Sequence, residues 1–335
     1  MFFSRLPVFR EANHHSLERT TMNPADSQEK PIILVALGGN ALIRKGQQGS
    51  ARQQLENLAL PMSQIVRLAG DYRIIITHGN GPQVGNLLLQ QECTREIPEM
   101  PLEILVAQTQ GQIGYMIEST LDQALMQIGV NTQPLVSLIS YVVVDEEDPA
   151  FDAPSKPVGP AYSRLEAQEK PYPTIKTAKG YRRVVVSPRP VTIVEKREIK
   201  RLIGMDFIVI CCGGGGIPVK REGRVFQGVD AVIDKDLASA KLAEEVGVDI
   251  FVIATDVEGA MLDFGTARQR LLRRVTVEEA ARHLVEGTFP AGSMAPKLEA
   301  CMQFITNGGR RAVIASIGDI AAAVNGRAGT EFIAG

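Results

Sequence analysis

The sequence predicts an α/β fold built on a mostly parallel sheet. Short apolar runs alternate with segments of helical periodicity, as in Ile32 to Leu37 followed by Gln53 to Leu68. A continuous apolar run is the mark of a strand buried on both faces, and strands that alternate with helices imply parallel pairing. Three such strands end in glycine-rich turns: Gly38-Gly39, Gly79-Asn80-Gly81 and Gly213 to Gly216. Open parallel sheets bind ligands beyond the carboxyl ends of their strands.

The chain's 335 residues, 44% of them hydrophobic, are enough for one large α/β domain or two smaller ones. The formal net charge is −2 with both signs interspersed, unlike the basic stripe of a nucleic-acid binder. No apolar run reaches the ~18 residues needed to span a bilayer. Cys93, Cys211, Cys212 and Cys301 contain no C-x-x-C and read as free thiols of a reducing, cytoplasmic compartment. His14, His15, His78 and His283 have no zinc-ligand spacing. Residues 1 to 30 are polar and irregular, without a secretory signal's apolar core, and read as a disordered or loosely attached extension. Met22 is a second candidate start.

The elements follow in order. Ile32 to Leu37 is a strand, and Gln53 to Leu68 carries Leu55, Leu58, Met62, Ile65 and Val66 at helical spacing. Arg73 to Thr77 is a second strand, and a helix with Val84, Leu87 and Leu88 follows its glycine turn. Leu102 to Ile128 is a long helix, and Leu135 to Val144 reads as one strand. From about residue 145 to 183 the character changes. Pro149, Pro154, Pro157, Pro160, Pro171 and Pro173 fall here, charge is dense and apolar periodicity is poor. This segment reads as an excursion from the main body, in the manner of a small lid. Strands then recur at Val184 to Val186, Val191 to Val194 and Phe207 to Cys212, with a helix over Glu195 to Leu202 and a hairpin over Arg221 to Gln227. Ile250 to Ala254 is a strand, Thr276-x-x-Glu279 caps a helix, and Ser293 to Asn307 is another helix. Ala312 to Ser316, Asp319 to Val324 and Thr330 to Ile333 close the chain as strand, helix and strand.

The chemistry centres on Asp234-Lys235-Asp236, at the start of the helix that packs through Ala238, Ala240, Leu242, Ala243 and Val246. A helix start offers unpaired N–H groups and a partial positive charge, which favour an anion. Lys235 adds a full charge where a phosphate would lie, and a neighbouring aspartate can hold it. The plain alternative is a capped, solvated helix start. Three glycine turns on one sheet edge, each able to bring backbone close to a phosphate, favour the phosphate reading. Lys297, in Ala291-Gly-Ser-Met-Ala-Pro-Lys297, follows the apparent cap Gly292-Ser293 and first-turn Pro296. A lysine there opposes the helix dipole, so it calls for an anion or a partner carboxylate.

No G-x-x-x-x-G-K-[ST] and no dinucleotide fingerprint occurs. Asp263-Phe264-Gly265 lacks the companion motifs of a protein kinase, and no nucleophile constellation is present. What remains is phosphoryl transfer, which needs alignment and charge neutralisation more than covalent help.

The motifs Ala36-Leu-Gly-Gly-Asn-Ala-Leu42, Thr77-His-Gly-Asn-Gly-Pro-Gln-Val-Gly85, Val186-Ser-Pro-Arg-Pro190, Gly213 to Pro218, Ala231-Val-Ile-Asp-Lys-Asp236 and Pro290 to Lys297 occur in one order, with Gly329-Thr330 near the end. In this the chain resembles the carbamate kinases of the amino acid kinase family from about Ile32 onward. The resemblance implies a three-layer αβα sandwich over residues 31 to 335, with a protruding subdomain at about 145 to 183, and a homodimer. The long Leu102 to Ile128 helix is the expected contributor to its interface. It implies reversible phosphoryl transfer between carbamoyl phosphate and ADP, giving ATP and carbamate, with Mg²⁺ carried by the nucleotide and no protein metal site. Lys235 and Lys297 are expected to neutralise the migrating group, with Asp236 aligning them. Gly38, Gly39, Asn40, Gly79, Asn80 and Gly81 are expected at the carbamoyl phosphate, and Gly213, Gly214, Gly215, Asp234, Asp256 and Val257 at the nucleotide. Many members of the wider family carry a lysine where this chain has Ala36; Lys156, in Pro154-Ser-Lys-Pro-Val-Gly159, is expected to replace it. Met261 stands where a bulkier residue is usual. The competing functions are another small-acid kinase of this fold and a nucleotide-binding sensor without catalysis.

Overall fold

The computed structural model describes residues 29–335 except 94–95, 131, 178–179 and 290–292. The expected loose segment, residues 1 to 30, falls almost wholly outside the described residues. An eight-stranded sheet forms the centre. Its strands are β1 (Ile32–Leu37), β2 (Arg73–His78), β3 (Leu135–Ser137), β4 (Ile208–Ile210), β5 (Ile250–Thr255), β6 (Arg274–Thr276), β7 (Arg311–Ser316) and β8 (Thr330–Ile333). The spatial order is β6-β8-β7-β5-β1-β2-β4-β3. Six neighbours from β7 to β3 run parallel; β8 and β6 run the other way.

Period-two alternation explains why these strands are apolar throughout. Along β1, Leu34 and Ala36 enter one core while Ile33, Val35 and Leu37 enter the other. All five are fully buried. Each large apolar side chain buried this way contributes ~1.5–3 kcal/mol. The helices α1 (Ala51–Ile65), α2 (Gly81–Glu92), α3 (Leu102–Gln127), α4 (Lys196–Gly204), α5 (Lys235–Val246), α6 (Val277–Val285), α7 (Ala295–Thr306) and α8 (Ile320–Val324) complete the body. α1, α3 and α8 pack on one face, and α4, α5, α6 and α7 on the other. That is the expected three-layer arrangement. No helix among the described residues is long and apolar enough to cross a membrane.

Two expectations need correction here. The single strand over Leu135 to Val144 is two strands in different sheets. Leu135–Ser137 is the edge of the central sheet, and Tyr141–Val144 belongs to a four-stranded sheet with Pro190–Ile193, Ile217–Glu222 and Val225–Gly228. The break is pinned at buried Ser140, whose N–H donates to Gln110 Oε1 at 2.9 Å while Gln110 Nε2 donates to the Ser140 carbonyl at 3.3 Å. The strand expected over Phe207 to Cys212 stops at Ile210, and Cys212 adopts φ 49°, outside the strand region.

The proline-rich segment is more regular than its composition indicates. Lys156–Tyr162, Thr174–Thr177 and Gly180–Val185 form an antiparallel sheet of their own, with a short helix at Arg164–Gln168 capped by Ser163. This arm packs against α2 glycine to glycine. A Cβ on Gly85 would lie 2.7 Å from the Gly159 Cα. Gly85→Ala is therefore expected to cost ~1–3 kcal/mol through overpacking against backbone. Thermal denaturation of the variant checks this, and an unchanged Tm would contradict it.

Candidate active site

The parallel strands β5, β1, β2 and β4 are neighbours, so their carboxyl ends lie along one edge. That edge carries Thr255-Asp256, Gly38-Gly39, Gly79 to Gly81 and the Gly213 turn. α5 starts at the same edge. Asp234 is its N-cap and accepts from the Asp236 N–H at 2.9 Å. Together they bound a cleft of about 380 Å³.

Lys235 and Lys297 meet on Asp236. Lys235 Nζ donates to Asp236 Oδ1, and Lys297 Nζ donates to Asp236 Oδ2 at 2.8 Å. All three are largely buried, with side-chain exposures of 13% for Lys235, 14% for Lys297 and 4% for Asp236. Two ammonium groups on one carboxylate leave that cluster with one positive charge in excess, while around the cleft as a whole Lys156, Lys235 and Lys297 are matched by Asp234, Asp236 and Asp256. Burial favours protonation of Asp236, but the two lysines outweigh it and hold its carboxyl well below the usual range. Burial also depresses both ammonium groups. In Lys235 it prevails, aided by the Lys297 charge, and its pKa is lowered. In Lys297 the Asp236 contact prevails, and its pKa is raised. The partner carboxylate that a lysine at the α7 start required is Asp236. The helix itself begins at Ala295 with Met294 at the N-cap; Ser293 lies in the preceding turn, and Gly292 is outside the described residues.

Lys156 reaches the cleft from the first strand of the arm and pairs with Asp234. Ala36, by contrast, is fully buried in the core. The stem of Lys235 runs over Gly79, where a Cβ would stand 3.2 Å from Lys235 Cδ. Gly214, at φ 68°, faces Asn80 so closely that a Cβ would overlap its side-chain amide. Asn80 is aimed by a 2.9 Å bond from its Nδ2 to Thr109 Oγ1 of α3.

Of the residues expected at the site, the cleft is lined by Gly38, Gly39, Asn40, Gly79, Asn80, Gly81, Lys156, Gly214, Asp234, Lys235, Asp236, Asp256 and Lys297. Gly213, Gly215 and Val257 are not on its wall. Gly213 packs under the His78 ring, and Gly215 against the Ile233 carbonyl. The N–H groups of Gly38 and Gly79 are committed to Ala254 and Leu37. The amides at the starts of the Gly39–Ala41 turn and of α2 have no side-chain cap and are the ones placed to meet an anion. Sequence reasoning missed Val84, Val158, Val232, Ile233 and Ser293, which line the same cleft. Val232 and Ile233 precede the charged triplet directly, and that adjacency was the available signal.

His78 ends β2 behind this edge. Burial, reinforced by the Lys235 charge, lowers its pKa from the usual 6.5 to about 4. The unfolded chain therefore takes up this proton first as pH falls. Stability from His78 is complete above pH 6.5 and is lost from there to about pH 4. The shift corresponds to roughly 3 kcal/mol at most. Denaturant midpoints between pH 7 and 4 should fall in the wild type and flatten in His78→Gln; parallel curves would remove the assignment.

This combination, a parallel sheet with a lysine–aspartate–lysine bridge at its carboxyl edge, fits the class of phosphoryl-transfer enzymes. The family model described as the amino acid kinase family matches residues 31–316, and the chain belongs to that family. Within it, the chain is 47% identical over 311 residues to a carbamate kinase of Thermococcus kodakarensis, covering 90% of this chain and 98% of that one. It is also similar to a carbamate kinase from Giardia lamblia solved with citric acid, at 38% identity and a TM-score of 0.86 over 91% of this chain and 99% of the other. The Giardia enzyme solved with AMP-PNP gives 38% identity and a TM-score of 0.83 at the same coverage.

Proposed function

We propose that the protein is a carbamate kinase, moving a phosphoryl group reversibly between carbamoyl phosphate and ADP. The observation that carries this reading is the convergence of Lys235 and Lys297 on Asp236 inside one cleft. A terminal oxygen of the ADP β-phosphate attacks phosphorus. The bond from phosphorus to the carbamate oxygen breaks, and its electron pair leaves on carbamate, which falls to ammonia and CO₂. The migrating group is most charge-spread midway, when the attacking and leaving oxygens are both loosely held. Two largely buried ammonium groups stabilise that state more than the ground state. Asp236 keeps them spaced and charged. Lys156, held by Asp234, meets the carbamoyl phosphate end. The amides opening the Gly39–Ala41 turn and α2 receive phosphate oxygens.

Mg²⁺, when bound on the nucleotide, supplies further charge neutralisation on its phosphates. Asp234 and Asp236 are occupied by lysines, whereas among the described residues Asp256 is bonded only by the Thr255 hydroxyl at 3.2 Å. That donor set would fit a cation delivered with the nucleotide, with Asp256 the carboxylate free to hold it. A homodimer is part of this reading. Ile104, Tyr115 and Met126 stand exposed on α3, the helix expected at its interface. So is a cytoplasmic setting, with four cysteines present as free thiols. A coupled assay of ATP formation from ADP and carbamoyl phosphate tests the proposal. Turnover is expected; folded protein with no turnover would defeat it.

A further inference from the structure

Beside the lysine-lined cleft lies a second, larger one of about 840 Å³. The two share Asn40, Gly81, Pro157 and Asp256, so they are adjacent. The second cleft lies toward the glycine turns and the arm; Ser293, Pro296 and Lys297 border only the first. Its wall carries Arg44 and Lys45, from the loop after the first glycine turn, and Arg182 from the arm. Asp256 is the one carboxylate set against these three positive charges. Among the described residues, no carboxylate pairs with Arg44 or Lys45. Arg182 is anchored without neutralisation, its Nε and guanidinium donating to the Gly159 carbonyl at 3.0 and 2.8 Å.

The loop presenting Arg44 and Lys45 is held by buried amides. Asn57 Nδ2 donates to the Leu42 carbonyl at 2.9 Å and to Gln47 Oε1 at 2.6 Å. The same Gln47 oxygen accepts from the Arg44 N–H at 2.9 Å. Gln54 Nε2 fixes the far end of the loop through the Gly49 carbonyl at 2.7 Å. Burying amides is costly unless they are hydrogen-bonded, and here they are spent on loop backbone. The two cations are thus carried on a braced platform beside the entrance to the site.

We infer that the second cleft is an anion vestibule, which gathers the small phosphorylated substrate and passes it to Lys156, Lys235 and Lys297. The inference rests on the reading above, in which that substrate is the dianion carbamoyl phosphate. A cleft with an excess of one sign of charge concentrates its ligand and accelerates capture, and salt screens the effect. ADP is also anionic, but its nucleoside gives it a second handle, so it depends less on the vestibule.

The test is the double variant Arg44→Gln/Lys45→Gln in the full chain, assayed for ATP formation at about 10 mM and about 0.5 M ionic strength. At low salt, kcat/KM for carbamoyl phosphate should fall about tenfold, with the loss in KM rather than kcat, and the gap should close at high salt. The change for ADP should be much smaller. The double reversal Arg44→Glu/Lys45→Glu should deepen the loss. No change at low salt, an equal fall for ADP, or a salt-independent loss with a lowered Tm would each overturn the vestibule. Wild-type enzyme in the same assay keeps the two readings apart. If it makes no ATP, the proposed reaction fails, and the vestibule is judged by calorimetry with inorganic phosphate. Weaker phosphate binding in the double variant then supports it, and equal binding overturns it.

Discussion

Lys235→Met should lower kcat about 10²- to 10³-fold, a loss of roughly 3–4 kcal/mol of transition-state stabilisation. Methionine replaces the stem that runs over Gly79 and removes only the ammonium. Lys297 still pairs with Asp236, so the buried carboxylate is not orphaned. The variant should therefore fold, with a Tm close to wild type. The KM for ADP should change little, because the lost interaction is made chiefly with the migrating group. Steady-state ATP formation measures all of this. A kcat within threefold of wild type would remove Lys235 from the chemistry.

Asp236→Asn should damage both stability and catalysis. It leaves two buried lysines facing each other with no carboxylate between them. Breaking a buried ionic cluster by removing one partner costs ~3–5 kcal/mol, which should appear as a Tm several degrees lower. The kcat should fall at least as far as in Lys235→Met, since both ammonium groups lose their spacing. The pH profile separates this residue from His78. The Asp236 carboxyl is held well below its ordinary range, so its contribution is present above the unfolded value near 4 and is lost only as pH falls through the folded value. Of these two residues, His78 is the one whose contribution is lost between pH 6.5 and 4. A variant with wild-type Tm and kcat would contradict the bridging role.

Much of the site was legible because its signals are local. Apolar runs ending in glycine specify parallel strands and their carboxyl turns without knowledge of partners. The helix start at Asp234-Lys235-Asp236 follows from residue type alone, and the unfavourable place of Lys297 on its helix dipole called for an anion or a carboxylate. What was not legible depends on register over long separations. That Lys156 finds Asp234, 78 positions away, rests on how the arm folds over the body. The arm's strands escaped notice because Pro157, Pro160 and Gly159 blur their alternation, and its sheet buries little on either face. The break at Ser140 is written in α3, through Gln110, and not in the strand it interrupts. Gly213 and Gly215 share a turn with Gly214, yet that turn presents one residue to the cleft while the others support it from behind.

In the proposed reaction, two lysines on one aspartate close around a single migrating phosphoryl group. A crystal structure with ADP, Mg²⁺ and a metal fluoride mimic of that group tests it most directly. The mimic is expected in the first cleft, with the Nζ atoms of Lys235 and Lys297 each about 3 Å from its fluorines. A mimic seated elsewhere, or touched by only one of the two lysines, would contradict it.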